Sequence, residues 1–300
     1  MNTFTSCIPC FFHQVEEAKV LFSLDDAQTR HIMNILGDSL KHYTDEQSPP
    51  ELAVVTQREL ERVLGCDDPY DSIKKESNEK ALRMYPQLKE SVISSKDPLR
   101  KAIELSCGGN IIDYGVLGNT LDVRREIERI VSDSEAQIND EDPSLFSIDH
   151  FRERLRESST VLFIADNAGE IVFDRLLIET IHEKFPSIRI TVAVRGRPIL
   201  NDALIADALS VHIDETARVI TSGVPTPGTV LSLSTAEFEQ EFSSSDMVIS
   251  KGQGNYESLS KESREIFFLL TAKCHVIADD IGCNLKDLIL LARNLKDESF

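Results

Sequence analysis

The chain has no apolar run approaching the roughly 18 residues that a spanning helix needs, so no membrane-crossing helix is expected. Met1 to Cys10 contains no basic stretch leading into an apolar one, which argues against a secretory leader and makes the cytoplasm the expected address. Positive charge is scarce. Lys and Arg number 32 against 51 Asp and Glu in 300 residues, a formal charge of −19. Nucleic acid and anionic membranes both select basic surfaces, so neither is an expected partner. Six cysteines are too few for a disulfide scaffold. The seven histidines are scattered, and no Cys/His cluster carries a zinc signature. There is no G-x-x-x-x-G-K-[ST] loop, no internal repeat and no low-complexity tract. What is present is the composition of a globular protein, 41% hydrophobic and 28% charged.

The two halves read differently. Residues 1–157 form a mainly helical region, with apolar positions at helical spacing over 10–22, 26–42, 51–64, 71–95, 98–106 and 120–132. Pro49-Pro50 suits a helix start, and Gly65 with Asp67-Asp68-Pro69 interrupts. An acidic stretch from Asp133 to Pro143 reads as a solvated connection. Residues 158–300 alternate short apolar runs with helical ones. TVLFIA (160–165), IRITVAV (188–194), VHI (211–213), DMVIS (246–250) and CHVIA (274–278) read as strands; 170–184, 199–209, 237–242 and 285–293 read as helices. This alternation predicts a largely parallel sheet covered by helices on both sides.

Each apolar run ends in polar chemistry. Asp166-Asn167-Ala168-Gly169-Glu170 follows the first, Arg195-Gly196-Arg197 the second, Lys251-Gly252-Gln253-Gly254-Asn255-Tyr256-Glu257 the run at 246–250, and Asp279-Asp280 the last. Ligands in open parallel sheets bind beyond the carboxyl ends of the strands. Asp166 and Asn167 offer hard oxygen donors suited to Mg²⁺ or Mn²⁺. Asp202 is a candidate third ligand, although spacing alone favours a first-turn acid on the helix containing ALIADAL. Lys251 with its glycine-containing turn, and Arg195 nearby, form a positive focus that fits a phosphorylated small molecule. Asn110 and Asp113, in GGNIIDYG, stand as polar residues among apolar ones. Cys7-Ile8-Pro9-Cys10 admits a redox pair, half a metal site, or two packed thiols.

Taken in order, these pieces resemble the damage-control phosphatases, and within them the first subfamily, which has an N-terminal CxxC. The matching pieces are Cys7 and Cys10 with Gln14, Pro49-Pro50, Asp68-Pro69-Tyr70 with Lys74, and Gly109-Asn110 with Asp113. They continue with Asp166 to Glu170, Arg197-Pro198 with Asn201-Asp202, Gly254-Asn255-Tyr256-Glu257, and Lys273-Cys274. The resemblance implies a helical N-terminal region on a Rossmann-like, three-layer α/β domain. It implies a divalent metal, Mn, Mg, Co or Ni, on Asp166, Asn167 and Asp202, reversing the spacing argument for Asp202. Lys251 and Asn255 would lie at the phosphate, with Glu170, Asn110 and Asp113 close by, and Arg195, Gly254 and Glu257 among the substrate contacts. Tyr256 stands where the family usually has Phe, which bears on substrate preference.

The expected activity is hydrolysis of small phosphometabolites by a metal-activated water, with Glu170 or another non-ligating carboxylate orienting it. A phosphoaspartate route is disfavoured, because Ala168 occupies the position where such enzymes carry a second Asp. The rival expectations are an S-adenosylmethionine-dependent methyltransferase and a non-enzymatic metal or thiol module built on Cys7 and Cys10.

Overall fold

The computed structural model describes residues 1–44, 47–109, 132, 138 and 142–293. The expected helix at 120–132 and the acidic stretch that follows it fall almost wholly outside them, as do Asn110 and Asp113. Prolines in the first turn open three of the N-terminal helices, where a missing N–H costs nothing: α1 (Ile8–Leu21), α3 (Pro49–Leu64) and α5 (Pro98–Gly108). Helix α2 (Asp26–Leu40) starts at Asp25, whose carboxylate accepts from the Ala27 and Gln28 amides while Gln28 Oε1 accepts from the Asp25 amide. Phe11, Val15, Ile32, Leu36 and Leu60 of α1, α2 and α3 bury against one another. Helices α4 (Asp71–Ser94), α5 and α6 (Ile148–Glu157) turn their apolar faces to the sheet instead.

The second half runs β1 (Thr160–Ile164), α7 (Glu170–Lys184), β2 (Arg189–Val194), α8 (Ile205–Ser210), β3 (Arg218–Thr221) and α9 (Ala236–Ser244). It continues through β4 (Met247–Lys251), α10 (Gln253–Leu259), β5 (Ile266–Thr271), α11 (His275–Ile281) and β6 (Leu288–Arg293). The sheet order is β3-β2-β1-β4-β5-β6; β6 alone is antiparallel. Alternate residues of β1 serve opposite faces. Val161 and Phe163 pack with α4, α5 and α7, and Leu162 and Ile164 with α9 and α10. The expected three-layer α/β architecture is therefore present. Among the described residues, no helix is long and apolar enough to cross a membrane.

Four segments differ from the sequence reading. The expected helix over 199–209 is helical only at Ile205–Ser210, so Asp202 lies in the loop before it rather than in its first turn. Val211-His212-Ile213 is not a strand: His212 takes φ 62° and Ile213 opens a 3-10 turn, so the two buried aliphatics pack the end of α8. The third strand lies further on, at Arg218–Thr221. CHVIA begins α11, with Cys274 extended as its N-cap and Gly282 closing it at φ 86°. A five-residue apolar run does not distinguish strand from helix, and the strand is the preceding segment, IFFLLT. The closing stretch 285–293 is not helical: Leu288–Arg293 pairs along the open edge of β5, from Thr271 opposite Leu288 to Ile266 opposite Arg293.

Strand order reverses at β1: β2 and β3 are added on one side of it and β4 and β5 on the other, with β1 and β4 parallel neighbours and Ile164 opposite Ser250. The crevice beyond their carboxyl ends is where this topology places a ligand.

Candidate metal and phosphate site

The loops that follow β1 and β2 are zipped together by backbone. The Ala203 amide donates to Asp166 O at 2.8 Å, the Ala168 amide to Asn201 O at 2.9 Å, and Asn167 and Asp202 form an antiparallel bridge. Three residues separated by as many as 36 positions thus meet at the end of β1. Leu200, just before Asn201-Asp202, holds φ 47°, a conformation a branched residue adopts only under constraint. Its amide donates to Gln57 Oε1 of α3 at 3.1 Å.

Arg195 is the hub. Its guanidinium is 2% exposed and donates to Asp202 Oδ2 at 2.5 Å, Asp166 Oδ1 at 3.3 Å, Thr229 Oγ1 at 2.9 Å and Asn255 Oδ1 at 3.0 Å. Burial, then the charges of Asp202 and Glu170, push the Asp166 carboxyl well above the usual carboxylate range, against the pull of Arg195 and Lys273. Burial raises Asp202 as well, opposed by Arg195. Asp166, Glu170 and Asp202 therefore bring more negative charge to this buried spot than one guanidinium neutralises. Asn167 Nδ2 donates to Asp166 Oδ2 at 2.8 Å and to Glu170 Oε2 at 3.2 Å. Its Oδ1, like Asp202 Oδ1, accepts no hydrogen bond among the described residues. Gly252, at φ 79°, abuts this group so closely that a Cβ there would stand 2.0 Å from Asp166 Oδ2.

Lys251 ends β4 without reaching solvent. Its ammonium donates to Glu170 Oε1 at 2.6 Å, Asp174 Oδ1 at 2.7 Å and Ser106 O at 2.7 Å, using all three N–H groups. Burial would lower its pKa; Asp174 and Glu170 outweigh that and raise it. Burial pushes the Asp174 carboxyl up to about 6, and its Oδ2 has no hydrogen-bond partner among the described residues. Asn255 is equally committed, accepting from Thr229 and Arg195 and donating to Lys251 O and Ala165 O. The Gly254 backbone abuts Pro227, whose carbonyl oxygen would lie 1.9 Å from an added Cβ. Asn255 and Lys251 thus adjoin the carboxylates but bond to protein groups, while Glu257 lies on the far side of α10 beside Gln253.

Lys273, two residues beyond β5, is exposed, and its charge acts on Asp166. Its ammonium makes no hydrogen bond or ion pair among the described residues, whereas its amide donates to Gln253 Oε1 at 3.2 Å. Gln253 Nε2 reaches both Glu257 Oε1 at 3.0 Å and Cys274 Sγ at 3.6 Å. Cys7 caps α1 and Cys10 lies exposed on its first turn, both as free thiols. Burial raises the pKa of each, and Glu257 is the charged neighbour from outside α1. Among the described residues, no three His, Cys, Asp or Glu side chains gather as a metal cage; Asp166 and Asp202 are joined by a carboxamide, not by a third such group.

Sequence reasoning did not single out Asp174, Thr229, Asn78 or Asp207. The i, i+4 spacing of Glu170 and Asp174 on one apolar helix was the available signal for the first; the rest are visible only in three dimensions.

The model of the damage-control phosphatase ARMT1-like domain matches residues 3–289. The chain belongs to the damage-control phosphatase family. It is 34% identical to a damage-control phosphatase of Archaeoglobus fulgidus, covering 94% of this chain and 96% of that one. It is 31% identical to another from Pyrococcus horikoshii, covering 97% and 98%. An uncharacterized protein of Methanocaldococcus jannaschii is 34% identical over 96% and 94%. The crystal structure of a DUF89 family protein from P. horikoshii superposes with a TM-score of 0.84 at 30% identity, covering 98% of this chain and 99% of the other.

This family member's Tyr256 has a use unrelated to the crevice. Its ring is buried, and its hydroxyl donates to Asp280 Oδ2 at 2.6 Å and accepts from Arg293 at 2.9 Å, tying α11 to β6. The residues at the crevice fit a divalent cation: two carboxylates and a carboxamide oxygen are hard donors, and the local negative charge is under-compensated.

Proposed function

We propose that this chain is a metal-dependent phosphatase of small phosphorylated metabolites, of the subfamily with an N-terminal CxxC, working in the cytoplasm on substrates damaged or surplus to metabolism. The observation that carries the reading is the excess of buried carboxylate around Arg195 where the strand order reverses, within reach of the charge of Lys273, whose ammonium has no partner among the described residues. Asp166, Asn167 and Asp202 would hold the metal. Bound there, Mn²⁺, Mg²⁺, Co²⁺ or Ni²⁺ would neutralise phosphoryl oxygens and lower the pKa of a water. The protein supplies the rest. Arg195 holds Asp166 and Asp202 at a fixed separation. Glu170 accepts from Asn167 Nδ2 and so orients the carboxamide oxygen towards the crevice. Lys273 offers an exposed ammonium to the phosphoryl oxygens, a role for which Lys251 has no N–H left.

The test is a phosphatase screen over a panel of phosphometabolites, repeated with each of the four ions and with chelator. Metal-dependent release of phosphate is expected, abolished in Asp166→Ala and in Asp202→Ala. Undiminished turnover in either variant defeats the reading.

A further inference from the structure

Helix α4 approaches the site from the N-terminal half. Lys74 and Asn78 lie four residues apart on it, so both side chains leave one face. Asn78 is 3% exposed. Its Oδ1 accepts from the Gly169 amide at 2.7 Å, and its Nδ2 donates to Asp207 Oδ1 at 3.0 Å. Asp207 Oδ2 in turn accepts from the Leu204 amide at 2.9 Å. Gly169 follows Asn167 by two residues, and Leu204 follows Asp202 by two. One carboxamide therefore spans the two loops that carry the oxygen donors. Lys74 completes the group: its ammonium lies 2.6 Å from Asp68 Oδ2 and 3.8 Å from Asp207 Oδ2, and its charge acts on Asp202.

The chemistry demands an amide at position 78. The group must accept from a backbone N–H on one side and donate to a carboxylate on the other; a carboxylate has no proton to give, and an aliphatic side chain does neither. Gly169 has no side chain to cap α7 and holds φ 80°, so its amide direction is set from outside its own loop.

We propose that Asn78 is a positioning residue: through Gly169 and Asp207 it fixes the spacing of Asn167 and Asp202, and thereby the affinity for the divalent cation. This rests on the reading of Asp166, Asn167 and Asp202 as ligands. Groups that orient metal ligands from behind alter affinity by about 10–100-fold.

The arrangement allows an exchange test. Asn78→Asp and Asp207→Asn each break the donor–acceptor pairing. Combined, they restore it with the roles reversed, since Asp at 78 accepts from both Gly169 and the new amide, which still accepts from Leu204. Mn²⁺ binding to the full chain is measured by calorimetry, beside thermal melts without metal and kcat and KM on p-nitrophenyl phosphate. Each single variant is expected to weaken Mn²⁺ by about 10-fold or more and to lower kcat. The double variant should return to within about threefold of the parent. Single variants that lower the melting temperature yet bind Mn²⁺ like the parent would make Asn78 merely structural and overturn the proposal. So would a double variant no better than the worse single one. Asp166→Ala runs alongside: if it binds Mn²⁺ as the parent does, the ligand assignment itself fails, and the positioning role falls with it.

Discussion

Two lysines stand at the carboxyl ends of adjacent strands, and they have opposite surroundings. Lys251 closes β4, is fully buried, and donates to Glu170, Asp174 and the Ser106 carbonyl. Lys273 lies two residues past β5 and is exposed, and its ammonium has no partner among the described residues. Residue type is identical and position in the sheet nearly so. What separates them is satisfaction. An ammonium with every N–H engaged by buried acceptors is part of the framework, and a free one beside under-compensated carboxylates is available to a ligand. Sequence reasoning gave the phosphate to Lys251 because a cation followed by glycines ends a buried strand, and saw in Lys273 only a motif.

The sharpest way to break this comparison is to remove each charge. Lys251→Met leaves Glu170 and Asp174 facing each other without a cation in a dry interior. Loss of one partner from such a group costs about 3–5 kcal/mol. A fall of that size in urea-unfolding free energy is expected, with inactivity following from instability. Lys273→Ala should unfold within about 0.5 kcal/mol of the parent. Its kcat/KM on a phosphate ester should drop about 10–100-fold, equivalent to roughly 1.4–2.7 kcal/mol of transition-state stabilisation. Lys273→Arg, which keeps the charge, should recover part of it. A stable, inactive Lys251→Met beside a fully active Lys273→Ala would reverse the two roles.

Much of this was legible in the chain. The apolar runs at 160–165, 188–194 and 246–250 became central parallel strands, because only segments buried on both faces are apolar throughout. The polar residues after them, Asp166, Asn167, Arg195 and Asp202, meet in one place because parallel strands share one carboxyl edge. Pairings across great sequence distance were not legible. Ser106 is 145 residues from Lys251, and Asn78 is 91 from Gly169. The misread segments share another cause. CHVIA and LKDLILLAR are too short for periodicity to separate helix from strand; the first is decided by a cap at Cys274, the second by the free edge of β5.

A third charged side chain sharpens the comparison, with the smallest expected effect. Glu257, on α10, has Gln253 Nε2 as its side-chain hydrogen-bond donor at 3.0 Å, and no lysine or arginine pairs with it among the described residues. Burial pushes its carboxyl up to about 7, against the weaker pulls of the Gln253 bond and of the Met1 ammonium, which donates to the Glu257 carbonyl oxygen. Being raised, the folded-state pKa favours the protonated form. This group's contribution is therefore fully present below the unfolded pKa near 4.5, and is lost as pH rises towards 7. A complete shift would amount to roughly 3 kcal/mol; partial access to solvent reduces that to about 1 kcal/mol. Glu257→Gln keeps an oxygen for Gln253 and removes the titration. Its unfolding free energy should match the parent's near pH 4.5 and exceed it by about 1 kcal/mol at pH 8. Melts of both proteins across that range check it; parallel profiles would mean that Glu257 is ionised at no cost, and that burial does not govern charge on this face of the molecule.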